Sequence, residues 1–196
     1  MLQIRVHGRG GQGVVTAAEL LSVAAFAQGR HAQAFPSFGS ERTGAPVIAF
    51  CRISDCPIRL REPILAPDVL IVQDATLLHQ VDVFQGLKPD GYVLINSKRN
   101  FHDLGLAEIE RRFRPERLIT VPATEIALKH LGRPLPNAVL LGGFAALSGL
   151  VTLEAVAHAI EEKFGGKIAA TNVAAATEAF EFVQREMEEL SHAPAN

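Results

Sequence analysis

Short apolar runs alternate along this chain with longer runs of helical period. Residues 3–7 place Ile4 and Val6 on one face and read as a first strand. Residues 13–28 follow as a helix that is apolar on most of its faces, which predicts burial on most sides. Gly29 and Arg30 end it, and 31–35 reads as a short second strand. Residues 47–53 and 58–60 are β-rich and flank Ser54-Asp-Cys-Pro57, which predicts a hairpin. Val69-Leu-Ile-Val72 is a buried strand that stops at Gln73-Asp74. A helix over 76–84, a turn at Lys88-Pro-Asp-Gly91, a strand over 92–95, a helix over 106–113 and a strand over 117–121 continue the alternation. After Pro122 the pattern is helical throughout, over 124–131, 137–148, 153–164 and 168–190. In the last of these, Val173, Ala176, Phe180, Val183, Met187 and Leu190 recur at 3,4,3,4,3 spacing and form one apolar stripe. Such a stripe packs on the domain's own sheet or docks a partner subunit.

Strand–helix alternation with turns at strand ends predicts an α/β fold. The expected form is a three-layer α/β/α sandwich with a mainly parallel sheet, an antiparallel hairpin and a helical C-terminal part. One domain is expected over 1–190, with a flexible tail over 191–196.

The composition narrows the function. Of the 196 residues, 48% are hydrophobic and 20% charged, which is enough for a packed core and argues against disorder. Net charge is −2, and no basic run goes beyond Arg111, Arg112 and Arg114, so nucleic acid is not an expected partner. The stretch 139–151 is too short for a membrane span and is broken by glycines. The chain does not open on a secretion signal, so a cytoplasmic location is expected. Cys51 and Cys56 form no Cys-x-x-Cys pair, and the histidines lack ligand spacing, so neither a metal nor an iron–sulfur cluster is expected on this chain.

The candidate chemistry lies in loops. His7-Gly-Arg-Gly-Gly-Gln-Gly13 joins the first strand to the first helix, with glycines at G-x-G-x-x-G positions. In that context backbone N–H groups and a helix dipole meet at one point, which suits a phosphate. An ordinary dinucleotide site also carries an acid near the end of the second strand, for the ribose. Residues 29–40 contain no Asp or Glu. Arg30 there is read as a contact for a 2′-phosphate or as a solvated surface residue. The segment Phe35-Pro-Ser-Phe-Gly-Ser-Glu-Arg-Thr-Gly-Ala-Pro46 is a polar loop that offers Ser40, Arg42 and Thr43 to a phosphate, or is a solvated connector. Asp74 ends a buried strand and is read as a ligand contact or as the cap of the next segment. Asn137 is read as a helix cap or as a tie between its helix and the glycine loop. The expected cofactor contacts are Gly8, Arg9, Gly10, Gly11, Gln12, Gly13, Ser40, Arg42, Thr43 and Asn137. No catalytic residue is expected, because no nucleophile motif, Walker lysine or paired carboxylate is present.

Six pieces of sequence occur in order: Val6-His-Gly-Arg-Gly-Gly-Gln-Gly13, Ser37-Phe-Gly-Ser-Glu-Arg-Thr-Gly-Ala45, Pro67-Asp-Val-Leu70, Leu87-Lys-Pro-Asp-Gly91, Val121-Pro-Ala-Thr-Glu125 and Asn137-x-x-x-Leu-Gly142. Together they resemble the gamma subunit (domain III) of the thiamine-dependent 2-oxoacid:ferredoxin oxidoreductases. The resemblance implies an α/β/α domain that works inside a larger complex. It implies oxidative decarboxylation of a 2-oxo acid to acyl-coenzyme A, with electrons passed to ferredoxin or a related acceptor. Thiamine diphosphate, Mg and iron–sulfur clusters are then held by partner subunits, and this chain contacts coenzyme A as a cosubstrate. Thr43-Gly44 departs from the Gly-Gly that relatives often carry there. The alternative reading is a free-standing nucleotide- or flavin-binding α/β domain.

Overall fold

The fold is described from a computed structural model over residues 1–37 and 43–192. Six strands form one sheet in the order β2-β3-β1-β4-β5-β6. They are β1 (Leu2–Arg9), β2 (His31–Pro36), β3 (Pro46–Ser54), β4 (Val69–Val72), β5 (Tyr92–Asn96) and β6 (Leu118–Val121). The helices are α1 (Val14–Ala27), α2 (Ala107–Arg112), α3 (Ala123–Leu131), α4 (Asn137–Ser148), α5 (Leu153–Phe164) and α6 (Gly166–His192). β1, β4, β5 and β6 pair in parallel, while β3 is antiparallel to both β1 and β2.

The period-2 alternation of the strands divides the core in two. Ile4, Val6, Ile71, Leu94 and Val121 face a cluster that includes buried residues of α1, α3, α4, α5 and α6. Leu70, Val72, Val93 and Ile95 face the other way, against Leu77, Val83, Phe101, Ile109 and Phe113. One face of the sheet therefore carries the long helices. The other carries α2, a 3-10 turn at Ala75–His79 and irregular chain. Two buried arginines hold irregular segments on that second face. Arg5 donates from Nη2 to the carbonyls of Val83 (2.8 Å) and Gln85 (2.6 Å), and Arg52 donates to that of Glu62 (2.6 Å).

The α/β class, the sandwich and the helical C-terminal part agree with expectation, and three details differ. Residues 58–60 form no strand. β3 lies between β1 and β2, so both of its edges are already paired, and Pro57 and Pro63 supply no backbone donors nearby. The antiparallel hairpin is β2–β3. The expected helix over 76–84 is only the 3-10 turn at Ala75–His79; the irregular chain beyond it is held by Arg5 through the Val83 and Gln85 carbonyls. Finally, α6 packs mainly along α4 rather than on the sheet, and it runs to His192, into the expected tail. Residues 193–196 lie outside the described residues. Both cysteines are free; burial pushes the Cys51 thiol up to about 12, and Cys56 is exposed.

His7 gives a pH signature. It is 4% exposed, and burial, helped by the positive charge of Arg5, lowers its pKa to about 3. In the unfolded chain it titrates near its ordinary 6.5. The unfolded state thus binds the proton that the folded state refuses, and stability falls as pH drops from 6.5 towards 3. The slope is about 1.4 kcal/mol per pH unit. Urea unfolding at pH 7 and pH 5 should show this loss in the parent chain. It should be absent from the His7→Leu difference; equal slopes in both chains would refute the assignment.

Candidate functional site

The site is built at the C-terminal edge of the parallel strands, where the β1–α1 turn, the end of β4, the end of β5 and the starts of α3 and α4 converge. The turn closes on itself. Arg9 N–H donates to Gln12 Oε1 (2.8 Å), and Gln12 N–H donates to the Arg9 carbonyl (3.0 Å). It is also tied to the chain that enters β3. Gly10 N–H donates to the Ala45 carbonyl (2.9 Å), Gly44 N–H donates to the Gly10 carbonyl (3.1 Å), and Gly10 bridges Thr43.

The glycines have different duties. At Gly8 an added Cβ would meet Val14 Cγ2 at 2.6 Å and Gln73 Cβ at 3.2 Å, so this glycine lets α1 lie against β1 and β4. Gly13 is the N-cap of α1 in left-handed conformation, φ 71°, and an added Cβ there would overlap the Asn137 side-chain amide. Gly11, φ 93°, has open space where a side chain would stand.

Asp74 locks the other wall. Its Oδ2 accepts from Arg9 Nε (3.1 Å) and Gln12 Nε2 (2.9 Å), and its Oδ1 accepts from Thr76 N–H (2.9 Å) and Thr76 Oγ1 (2.6 Å). Burial works to raise this carboxyl. The hydrogen bonds from Thr76 and Gln12 and the charge of Arg9 outweigh it and hold the pKa below its ordinary value. Arg9 is equally committed, donating also to the Gly44 carbonyl, Thr76 Oγ1 and Gln80 Oε1. Arg9, Gln12 and Asp74 are therefore struts of the loop, and Asp74 is the cap of the 3-10 turn. An acid so saturated and so depressed is a poor general base.

Of the ten expected contacts, Gly8, Arg9, Gly10, Gly11, Gln12, Gly13, Thr43 and Asn137 are brought together here, while Ser40 and Arg42 lie outside the described residues. The N-cap of α4 is Pro136. Asn137 is the first helical residue and packs on Gly13, so the tie between helix and loop is its role. Arg30 is elsewhere, paired with Asp55 at 3.1 Å. Among the residues of the site that escaped the sequence reading are Asn96 and Gln73. Asn96 caps α3 by accepting from Thr124 N–H (3.1 Å) and donates to the Gln73 carbonyl (2.8 Å). Their shared signal is a polar residue at the end of a buried strand.

A cleft of about 590 Å³ opens between these walls, lined by Gly10, Gly11, Thr43, Gln73, Thr124 and Leu135 among others. Two helix starts flank it. Neither α1 nor α4 has a side-chain cap or an acidic residue in its first turn. Among the described residues no group of three His, Cys, Asp or Glu side chains is placed to hold a metal. No described helix is long and apolar enough to cross a membrane. Two of the six ordered sequence pieces lie away from the cleft. Asp68 accepts from Gln3 N–H (2.8 Å) and pairs with Lys88 (2.7 Å), which fixes the opposite edge of the sheet.

The arrangement defines a class: an α/β domain with a cleft at the C-terminal edge of its parallel strands, beside a glycine turn. The comparisons place it more narrowly. The family model described as pyruvate ferredoxin/flavodoxin oxidoreductase matches residues 3–182, and the chain belongs to that family. It is 49% identical over 184 residues to the pyruvate/ketoisovalerate oxidoreductases common subunit gamma of Pyrococcus abyssi, covering 94% of this chain and 98% of that one. It is 48% identical over 185 residues to pyruvate synthase subunit PorC of Methanothermobacter thermautotrophicus, covering 94% and 97%. The crystal structure of pyruvate oxidoreductase subunit PORC from Thermotoga maritima superposes with TM-score 0.76 at 35% identity, covering 92% of this chain and 95% of that one.

Proposed function

We propose that this chain is the gamma subunit of a thiamine-dependent 2-oxoacid oxidoreductase and that its strand-end cleft holds the phosphates of coenzyme A. The complex converts a 2-oxo acid to acyl-coenzyme A and carbon dioxide and passes the electrons to ferredoxin or a related acceptor. Thiamine diphosphate, Mg and the iron–sulfur clusters belong to sister subunits and supply the carbon and electron chemistry. This chain binds and orients. The observation that carries the reading is one cleft lined by the glycine turn (Gly10, Gly11, Gln12) and by Pro136, the N-cap of α4, with neither α1 nor α4 capped by a side chain. A phosphate there accepts backbone N–H groups without displacing any side chain from its partners.

The alternative, a free-standing nucleotide- or flavin-binding domain, fits the sheet less well. In an ordinary dinucleotide fold the strand that carries the ribose-reading acid is adjacent to β1. Here β3 intervenes, which sets β2 about 10 Å from β1.

Hydrogen exchange on the assembled complex tests the reading. Coenzyme A is expected to slow exchange at Gly11 and in the first turns of α1 and α4, residues 14–16 and 137–139. A 2-oxo acid alone is expected to leave those amides unchanged. Slowing elsewhere on the chain but not at these two helix starts would overturn the assignment.

A further inference from the structure

We propose that Gln73 reads the uncharged part of the ligand, pairing its carboxamide with a group that presents a donor and an acceptor side by side. The proposal rests on the cleft being the phosphate site argued above. Gln73 follows the last residue of β4 and lines the cleft at 1% exposure. Its backbone is fixed: its N–H donates to the His7 carbonyl (2.8 Å), and its own carbonyl accepts from Asn96 Nδ2 (2.8 Å). Its side chain is different. Both Nε2 and Oε1 are buried and have no hydrogen-bond partner among the described residues.

An unpaired buried amide is unfavourable and uncommon. His7, on the neighbouring strand, has one buried unpartnered atom, Nε2, but the polar side chains that brace the cleft are paired. Gln12 and Asp74 are bonded to each other and to Arg9 or Thr76, and the Asn96 amide bonds Thr124 and the Gln73 carbonyl. Gln73 alone among these keeps its hydrogen-bonding capacity unused, directly beneath the glycine turn. Turning its amide towards the cleft breaks no hydrogen bond, so a ligand that supplies partners gains the full pairing. A carboxamide does not ionise at neutral pH and presents one N–H donor face and one acceptor oxygen. Its complement is another amide or an aminopurine edge. The two helix starts take the negative charge, and Gln73 takes the neutral group beside it.

The test uses the assembled complex carrying Gln73→Leu, with Gln73→Met as a second apolar side chain should leucine disturb packing. The KM for coenzyme A is expected to rise about tenfold, the change that losing such a bond brings. The KM for the 2-oxo acid should stay the same. The Tm should rise, because a buried unpaired amide has been removed. Two probes locate the group that is read: phosphopantetheine carries amides and no purine, and adenosine 3′,5′-bisphosphate carries a purine and no amide. One of them should lose about tenfold in competition against coenzyme A in the variant, while the other keeps its affinity. A raised Tm with unchanged coenzyme A KM and unchanged competition by both probes would overturn the proposal. If the helix-start amides are protected by coenzyme A and Gln73→Leu has no effect, only this inference fails. If those amides are not protected, the phosphate reading itself fails.

Discussion

Gly142→Ala is expected to lower the Tm of the chain by about 6–12 °C, while Gly143→Ala, one residue on, leaves it unchanged or raises it. The two glycines lie in the interior of α4, and a scale of helix propensity treats them alike. Their surroundings do not. α4 is sandwiched between the sheet and α6, and Gly142 is where α4 and α6 touch backbone to backbone. A Cβ at 142 would overlap the carbonyl oxygen of Ala176, and Cα and C of the same residue lie just behind it. No rotamer change relieves a clash with backbone, so the helices must part and Ala175, Ala179 and Val183 lose packing with them. Overpacking of that kind costs about 3 kcal/mol. For a domain of this size that is about 2–4 °C per kcal/mol. At Gly143 a Cβ would stand 3.4 Å from Val121 Cγ2 and Val183 Cγ2, an ordinary contact with side chains. Alanine there fills space and gains about 0.5–1 kcal/mol of helix propensity. Thermal unfolding of the two variants beside the parent decides the matter. Equal shifts would mean that the α4–α6 approach is looser than described.

Much of this architecture was legible in the sequence because the signals are local. Helices α1, α3, α4 and α5 begin and end within about two residues of the expected bounds, since apolar period and punctuating glycines and prolines set them. The buried strands β4 and β5 were equally plain as continuous apolar runs. Pairing is not local. Residues 58–60 have strand-like composition, but no edge was left for them once β3 had taken β1 and β2 as neighbours. Nothing in residues 76–84 announces that a buried arginine from β1 will bind the chain there at the carbonyls of Val83 and Gln85.

The site was half legible. The glycine turn and its place at the strand ends follow from residue type and position. Which of its side chains are free does not. Arg9 was an expected ligand contact as a member of the glycine loop, yet four neighbours occupy its guanidinium. Asn137 had two readings, and Pro136 at the cap position leaves it the contact with Gly13. Gln73 drew no attention because a polar residue after an apolar strand has the same appearance whether it caps, packs or waits for a ligand.

The proposed phosphate site at the glycine turn is tested most directly by placing a charge in its mouth. Gly11 is the position for it: a Cβ added there meets no atom of the described residues within 4 Å. Asp and Asn tolerate positive φ better than other residues and have nearly the same shape, so the pair Gly11→Asp and Gly11→Asn share any backbone strain at φ 93°. They differ by one negative charge. At about 6 Å from a phosphate and an effective dielectric near 20, that charge is worth up to about 3 kcal/mol. The assembled complex with Gly11→Asp should therefore show a KM for coenzyme A about tenfold to a hundredfold above that of Gly11→Asn. The KM for the 2-oxo acid should be the same in both, and raised salt should narrow the gap. If the aspartate and asparagine complexes use coenzyme A with equal KM, no phosphate sits at this turn and the glycines serve only the packing of α1 and α4.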